Sequence, residues 1–217
     1  MKNKQTYYLR GSFALLLFVI LGYTVKFAPQ GLTAFDSQLQ AAFRGDLPAG
    51  ITAFFTTITK AANTSIILIW VGALALYLFF IKKWKAESAL LLGSLVTSGL
   101  LVSLLKPIYA RPRPSITHLV HETGYSFPSG HSLGITMACG ALFIIVTQGV
   151  KNQSSRLVLQ ILLGLFILII LLSRVYVGVH YPSDVTAGFL LGFAVLNYVF
   201  PIYDAWRFRL RFAGKSK

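Results

Sequence analysis

The feature that most constrains this chain is a set of six stretches without a charged side chain, at 11–25, 61–81, 88–105, 132–150, 157–173 and 185–203. A helix crossing the apolar core of a bilayer needs about 20 mainly apolar residues, with a range of about 17–25, because each adds about 1.5 Å to a thickness of about 30 Å. Five stretches meet that length directly. The first is short, and reads as a span if it continues past Lys26, whose long side chain can snorkel to the interface. Its alternative is a cleaved leader behind Lys2, Lys4 and Arg10; no clean small-x-small cleavage site precedes Lys26, which favours retention. With 55% hydrophobic and only 12% charged residues, the chain is too apolar for an ordinary soluble domain. The expected fold is all-α: one membrane-embedded domain over 1–217, an integral bundle of six transmembrane helices.

Between the first two spans, Leu32, Phe35, Leu39 and Phe43 recur at helical spacing, as do Ile51, Phe54, Phe55 and Ile58, with Gly45, Pro48 and Gly50 interrupting. The pattern predicts short amphipathic interfacial helices. They either cap the bundle or shape the route by which a lipid reaches it.

A net charge of +14 would suggest nucleic acid in a soluble protein. In a chain of spans it fits basic flanks among membrane lipids and an anionic substrate, and no nucleic acid partner is expected. Placing the N-terminus inside puts 13 of the 20 Lys and Arg in inner segments, including Lys82, Lys83, Lys85, Lys151, Arg156, Arg207, Lys215 and Lys217. The positive-inside rule then puts both termini in the cytoplasm of a multi-pass cell-membrane protein. The outer exceptions are Lys26, Arg44, Lys60, Lys106, Arg111, Arg113 and Arg174. Four of these lie in two loops that contain, or adjoin, all four histidines. Cys139 is the single cysteine, so no intrachain disulfide is possible, and its apolar setting reads as an inert buried thiol.

Three clusters carry chemistry. The first runs Lys106-Pro107-Ile108-Tyr109-Ala110-Arg111-Pro112-Arg113-Pro114; its prolines predict a stiff, extended segment rather than helix, holding Lys106 and Arg113 at a set separation. Alone it could be basic residues snorkelling at a helix end. The second, Phe127-Pro128-Ser129-Gly130-His131-Ser132, opens directly into a span. A helix N-terminus offers free N–H groups to an anion, Gly130 permits close approach, and Ser129 could be no more than an N-cap. His131 in the first turn needs an anion nearby to serve as an acid. The third cluster runs from Ser173 and Arg174 to His180, Pro182 and Asp184. Asp184 could merely cap a helix. Four residues after His180, it can also turn back to accept from one imidazole nitrogen, leaving the other as a nucleophile.

In this topology the clusters share one membrane face. Lys106, Arg113 and Arg174 would repel one another there unless they share an anion, and a phosphoryl group is such an anion. Only Glu122 and Asp184 among six acidic residues lie in these loops, too few for a metal cage, so no metal and no cofactor is expected.

The set Lys106-x6-Arg113-Pro114, Pro128-Ser129-Gly130-His131 and Ser173-Arg174-x5-His180-x3-Asp184 resembles the three-part signature of the type 2 phosphatidic acid phosphatase superfamily over about 80 residues, in order and spacing. Within its membrane branch, the short loops and size are similar to the compact bacterial phosphatidylglycerophosphatase type, with undecaprenyl pyrophosphate phosphatases as near relatives. The resemblance implies a metal-independent lipid phosphatase acting on phosphatidylglycerol phosphate and undecaprenyl pyrophosphate at the outer face. It implies that His180 attacks phosphorus to give a phosphohistidine, that Asp184 holds its other nitrogen, and that His131 protonates the leaving oxygen and then activates water. Lys106, Arg113, Ser129, Gly130 and Arg174 would bind phosphate oxygens. Arg111, His118, His121 and Glu122 fall outside the signature and read as loop residues or head-group contacts. A lipid phosphotransferase would share the first half-reaction. A transporter of anionic solutes would keep its charges nearer the midplane, on broken helices.

Overall fold

The computed structural model describes residues 3–212; Lys2, Lys215 and Lys217, counted above as inner charges, lie outside them. It is all-helical among the described residues: α1 Lys4–Phe27, α2 Pro29–Arg44, α3 Ala49–Ala61, α4 Thr64–Phe80, α5 Lys85–Tyr109, α6 Gly130–Gly149, α7 Gln153–Tyr176 and α8 Pro182–Phe212. Five helices are long and apolar enough to cross a membrane. There are six if α3 and α4, bent by 52° at their break, form one unit. The short first stretch belongs to a 24-residue helix that does run past Lys26, and Lys26 Nζ donates to the Ile108 carbonyl at 2.8 Å. By contrast the stretch at 61–81 is broken at 62–63 and yields only the 17-residue α4.

Large apolar side chains stand exposed along every helix long enough to span, among them Leu16, Leu104, Leu162 and Ile202. Exposure on that scale needs an apolar solvent, and the chain is a multi-pass membrane protein. Inside, α6 is the central helix, packed on α5, α7 and α8, while α1 lies along α8. Val71, Leu91, Ile135, Cys139 and Ile170 fill one core; Phe18, Phe127, Leu133, Ala187 and Leu191 fill a second, nearer the loops.

The α6–α8 contact positions the site. Gly188 and Gly192 are one turn apart on α8, and a Cβ at Gly188 would lie 2.6 Å from the Ser129 carbonyl oxygen. Small residues at this spacing let two membrane helices approach backbone to backbone. The start of α6 is thereby held against the start of α8, where the Ser129 N–H donates to the Asp184 carbonyl at 3.0 Å.

The amphipathic helix α2 has a polar side that the sequence reading did not single out. Its apolar stripe faces out, with Phe35 61% and Leu39 46% exposed, while Asp36, Gln40 and Arg44 are buried. The buried stripe is polar because what it packs on is polar: the carbonyls and ion pairs of the 111–117 and 175–184 loops.

Candidate active site

Lys106 is on a helix, which corrects the expectation of an extended segment from that residue. α5 continues through Pro107 to Tyr109, Ala110 N–H donates to the Lys106 carbonyl at 2.9 Å, and left-handed Ala110 (φ 48°) ends the helix. Packing outweighs the proline here, because Tyr109 lies edge-on against Phe18 and Phe127. Only from Arg111 to Pro114 is the segment outside the helix, as the remaining prolines favour.

Arg113 is laced into its loop. Its Nη1 donates to the Val179 carbonyl at 2.7 Å, Nη2 to Thr123 at 2.9 Å and Nε to Gly124 at 3.1 Å, leaving Nη1 3.4 Å from His180 Nε2. Arg174 closes α7 and is 1% exposed; Nη1 donates to Thr59 Oγ1 at 2.7 Å and Nη2 to Glu122 Oε1 at 2.5 Å. The turn to His180 needs Gly178, whose φ of +85° favours glycine.

Ser129 caps α6: its Oγ accepts from Ser132 N–H at 3.3 Å and Ser132 Oγ at 2.9 Å, so only its own hydroxyl proton is uncommitted. The first N–H groups of α6, at Gly130 and His131, are of the kind that lack intrahelical acceptors. Gly130, His131, Lys106, Glu122 and His180 line one groove of about 420 Å³, which continues between α4 and α5 past Leu68, Leu95 and Val102. A groove of similar size beside α6, α7 and α8 is lined by phenylalanines without an acid–base pair, so the chemistry lies in the first.

His180 is buried at the loop's end. Its Nδ1 faces Asp184 Oδ2 at 3.5 Å, too long for a formed hydrogen bond, and Asp184 Oδ2 also accepts from Tyr181 N–H at 2.9 Å. Burial pushes the His180 pKa well below its ordinary value, and Arg174, Arg113 and Lys106 push it the same way, so the ring is neutral with a free lone pair at neutral pH. Among the described residues four buried side-chain polar atoms lack a hydrogen-bond partner, and three are here: His131 Nε2, Arg174 Nε and His180 Nδ1. Native proteins rarely leave such atoms unpaired, and a catalytic role is one of the reasons they do.

The matched residues therefore converge, but two residues read as loop positions stand among them. Glu122 is the anion that the cations share: besides Arg174 it faces Arg113 at 3.6 Å and His131 Nε2 at 3.6 Å. Burial opposes its ionisation, yet Arg174, His131 and Arg113 hold its carboxyl below the ordinary range. Arg111, 4% exposed, bridges Asp184 and Asp36 at 2.5 and 2.8 Å and lies 4.1 Å from the Tyr181 ring centre. His118 Nε2 bonds the Pro114 carbonyl at 2.9 Å, a loop tie. Asp36 was not singled out from sequence. Its signal was the scarcity of acids, six in all, since an acid kept in a membrane protein usually has a partner.

Fold and site together define a multi-pass membrane protein of the lipid phosphatase class. The chain belongs to the PAP2 superfamily, whose family model matches residues 87–208. It is 34% identical over 140 residues to phosphatidylglycerophosphatase B of Bacillus subtilis, covering 63% of this chain and 68% of that protein. It is 31% identical over 185 residues to undecaprenyl-diphosphatase of Sulfolobus acidocaldarius, covering 82% and 84%. In structure it is similar to the first transmembrane PAP2-type phosphatidylglycerolphosphate phosphatase from Bacillus subtilis, solved by crystallography, with a TM-score of 0.80, 26% identity and coverage of 93% and 97%.

Proposed function

We propose that this protein hydrolyses the terminal phosphate of phosphatidylglycerol phosphate to give phosphatidylglycerol, accepts undecaprenyl pyrophosphate as well, and works through a phosphohistidine without a metal. The observation that carries the reading is the environment of His180: a neutral imidazole with one nitrogen facing a carboxylate and the other 3.4 Å from Arg113, in a groove that also contains His131 and Lys106. His180 Nε2 attacks phosphorus while Asp184 accepts from Nδ1–H, a contact that tightens as positive charge develops on the ring. Lys106, Arg113 and Arg174, with Gly130 and the uncommitted proton of Ser129, stabilise the equatorial oxygens. His131 gives a proton to the leaving alkoxide and then takes one from the water that cleaves the phosphohistidine. The carboxylates near the reacting atoms are already paired with arginines, and among the described residues no group of three or more His, Cys, Asp or Glu gathers as metal ligands.

The chain forms a single domain of six spans, with α4 as the second and α2 and α3 lying in the outer interface. The exposed apolar stripe of α2 supports this placement. Both termini then face the cytoplasm and the groove opens to the outer leaflet. Charges gathered at one end of the bundle weigh against a transporter. The relatives' substrates support the lipid class, and a phosphatidate preference above about tenfold in kcat/KM would defeat the choice of phosphatidylglycerol phosphate.

The test of the mechanism is acid-labile labelling from a radiolabelled lipid phosphate. His180→Ala loses the label; His131→Ala still traps it, and loses turnover most with a poor alkoxide leaving group. Labelled His180→Ala beside unlabelled His131→Ala would exchange the two roles. Oxygen-18 water, incorporated into released phosphate, separates hydrolysis from transfer to another alcohol.

A further inference from the structure

Behind His180 lies a chain of buried charges that reaches a helix far from the signature. Asp36 on α2 accepts from Ser183 N–H at 3.0 Å through Oδ1, and from the Ser183 hydroxyl and Arg111 Nη2 through Oδ2, the latter at 2.8 Å. Arg111 Nη1 donates to Asp184 Oδ1 at 2.5 Å and to Ser183 Oγ at 2.7 Å. Asp184 then presents its other oxygen to His180. One turn along α2, Gln40 Nε2 donates to the carbonyls of His180 and Val175, each at 3.0 Å. Asp36, Arg111, Asp184 and His180 are all buried.

We infer that Asp36 and Arg111 are positioning residues for the nucleophile: Arg111 fixes the rotamer of Asp184, and Asp36 takes up the guanidinium charge so that the charge of Asp184 acts on His180. This goes beyond the proposed function and rests on its assignment of His180. An arginine paired with a carboxylate through both arms of its fork neutralises it and uses both oxygens. Here the fork is split, one arm to each aspartate, so Asp184 keeps Oδ2 for the histidine. One cation between two carboxylates leaves a net negative charge beside the ring that must become cationic when phosphorus bonds to it. Ser183 fastens the arrangement by touching Asp36 and Arg111 at once.

Asp36→Asn preserves shape and removes the charge. The other groups facing His180 stay in place: Asp184 from α8, Arg174 from α7, Lys106 from α5, His131 from α6, and Arg111, Arg113 and Glu122 from the loops. Loss of a negative charge lowers an imidazole pKa, so the acidic limb of kcat/KM moves to lower pH while the substrate's own titration is common to both proteins. The expected result in mixed micelles is a kcat lower by about tenfold or more, with KM changed by less than about twofold. Asp36→Glu restores the limb. Asp36→Asn with Arg111→Gln, which returns the set to one net negative charge, exceeds Asp36→Asn alone in kcat. Wild-type kcat and limb in Asp36→Asn overturn the inference, as does a lost kcat with an unmoved limb. If Asp36→Asn fails to fold, the double variant decides: a wild-type limb with kcat still below wild type supports the relay, because the charge is restored while the fork that orients Asp184 is lost, and a wild-type kcat, or one as low as that of His180→Ala, overturns it. Phosphoenzyme labelling separates the two levels, since label surviving in His180→Ala removes the nucleophile assignment, whereas a dead His180→Ala beside a wild-type Asp36→Asn removes only the relay.

Discussion

Replacing Gly188 with alanine tests whether the α6–α8 contact holds the two halves of the site in register. The added Cβ would lie 2.6 Å from the Ser129 carbonyl oxygen, 2.9 Å from Ser132 Cβ and 3.1 Å from Leu133 N, where ordinary contact begins at 3.4 Å. The shortfall is about 0.8 Å against backbone, which no rotamer change relieves. Either α6 withdraws by about that distance or the overlap is absorbed as strain, which costs about 1–3 kcal/mol in a packed interior. Withdrawal carries Gly130 and His131 away from His180 and stretches the 3.0 Å bond from Ser129 N–H to the Asp184 carbonyl. A displacement near 1 Å at reacting groups can cost about 10²-fold in rate. The expected outcome is a kcat lower by about 10²-fold at saturating lipid, with a lowered Tm in the same micelles. Gly93→Ala on α5 is the control, because its Cβ would meet nothing within 4 Å. Alanine is the better helix former by about 1 kcal/mol, so any loss in Gly188→Ala comes from the contact and not from the helix. Wild-type kcat in Gly188→Ala would refute the registration argument.

Three further outcomes are expected. Full activity survives exhaustive EDTA treatment, and a loss that Mg²⁺ reverses would defeat the metal-free mechanism. In a Cys139→Ala background, an impermeant thiol reagent on intact cells marks a cysteine at Thr117 and spares one at Ser154; the reverse pattern inverts the proposed topology. Glu122→Gln removes the carboxylate that now occupies the arginine cluster, so orthovanadate inhibits about tenfold more tightly, or about 1.4 kcal/mol, and an unchanged or weaker Ki shows that Glu122 does not rival the phosphate.

The sequence was most legible where chemistry and spacing were local. His180 and Asp184 are four residues apart, and the structure brings their side chains to 3.5 Å. Uncharged stretches marked the long helices because bilayer thickness sets their length. What stayed hidden depended on partners far apart in the chain. Arg111 and Asp36 are 75 residues apart, and nothing local says that the loop arginine meets a carboxylate on α2. Glu122 looked like a loop residue since its partners, Arg174 and His131, come from two different helices. Pro107 misled for another reason: the rule against proline in helices is an average cost, and the aromatic packing of Tyr109 outweighs it at this position.

The two-faced helix α2 has a consequence for how such a protein meets its surroundings. Its outward Phe35, Leu39 and Phe43 touch whatever amphiphile surrounds the protein, while its inward Asp36 and Gln40 touch the ion pairs and carbonyls beside the histidine. With α2 lying in the interface as proposed, a single helix separates the lipid surface from the ion pair that Asp36 makes with Arg111. The same 16-residue helix thus meets lipid on one face and the Asp36–Arg111 ion pair on the other, so α2 is where the bilayer and the site adjoin.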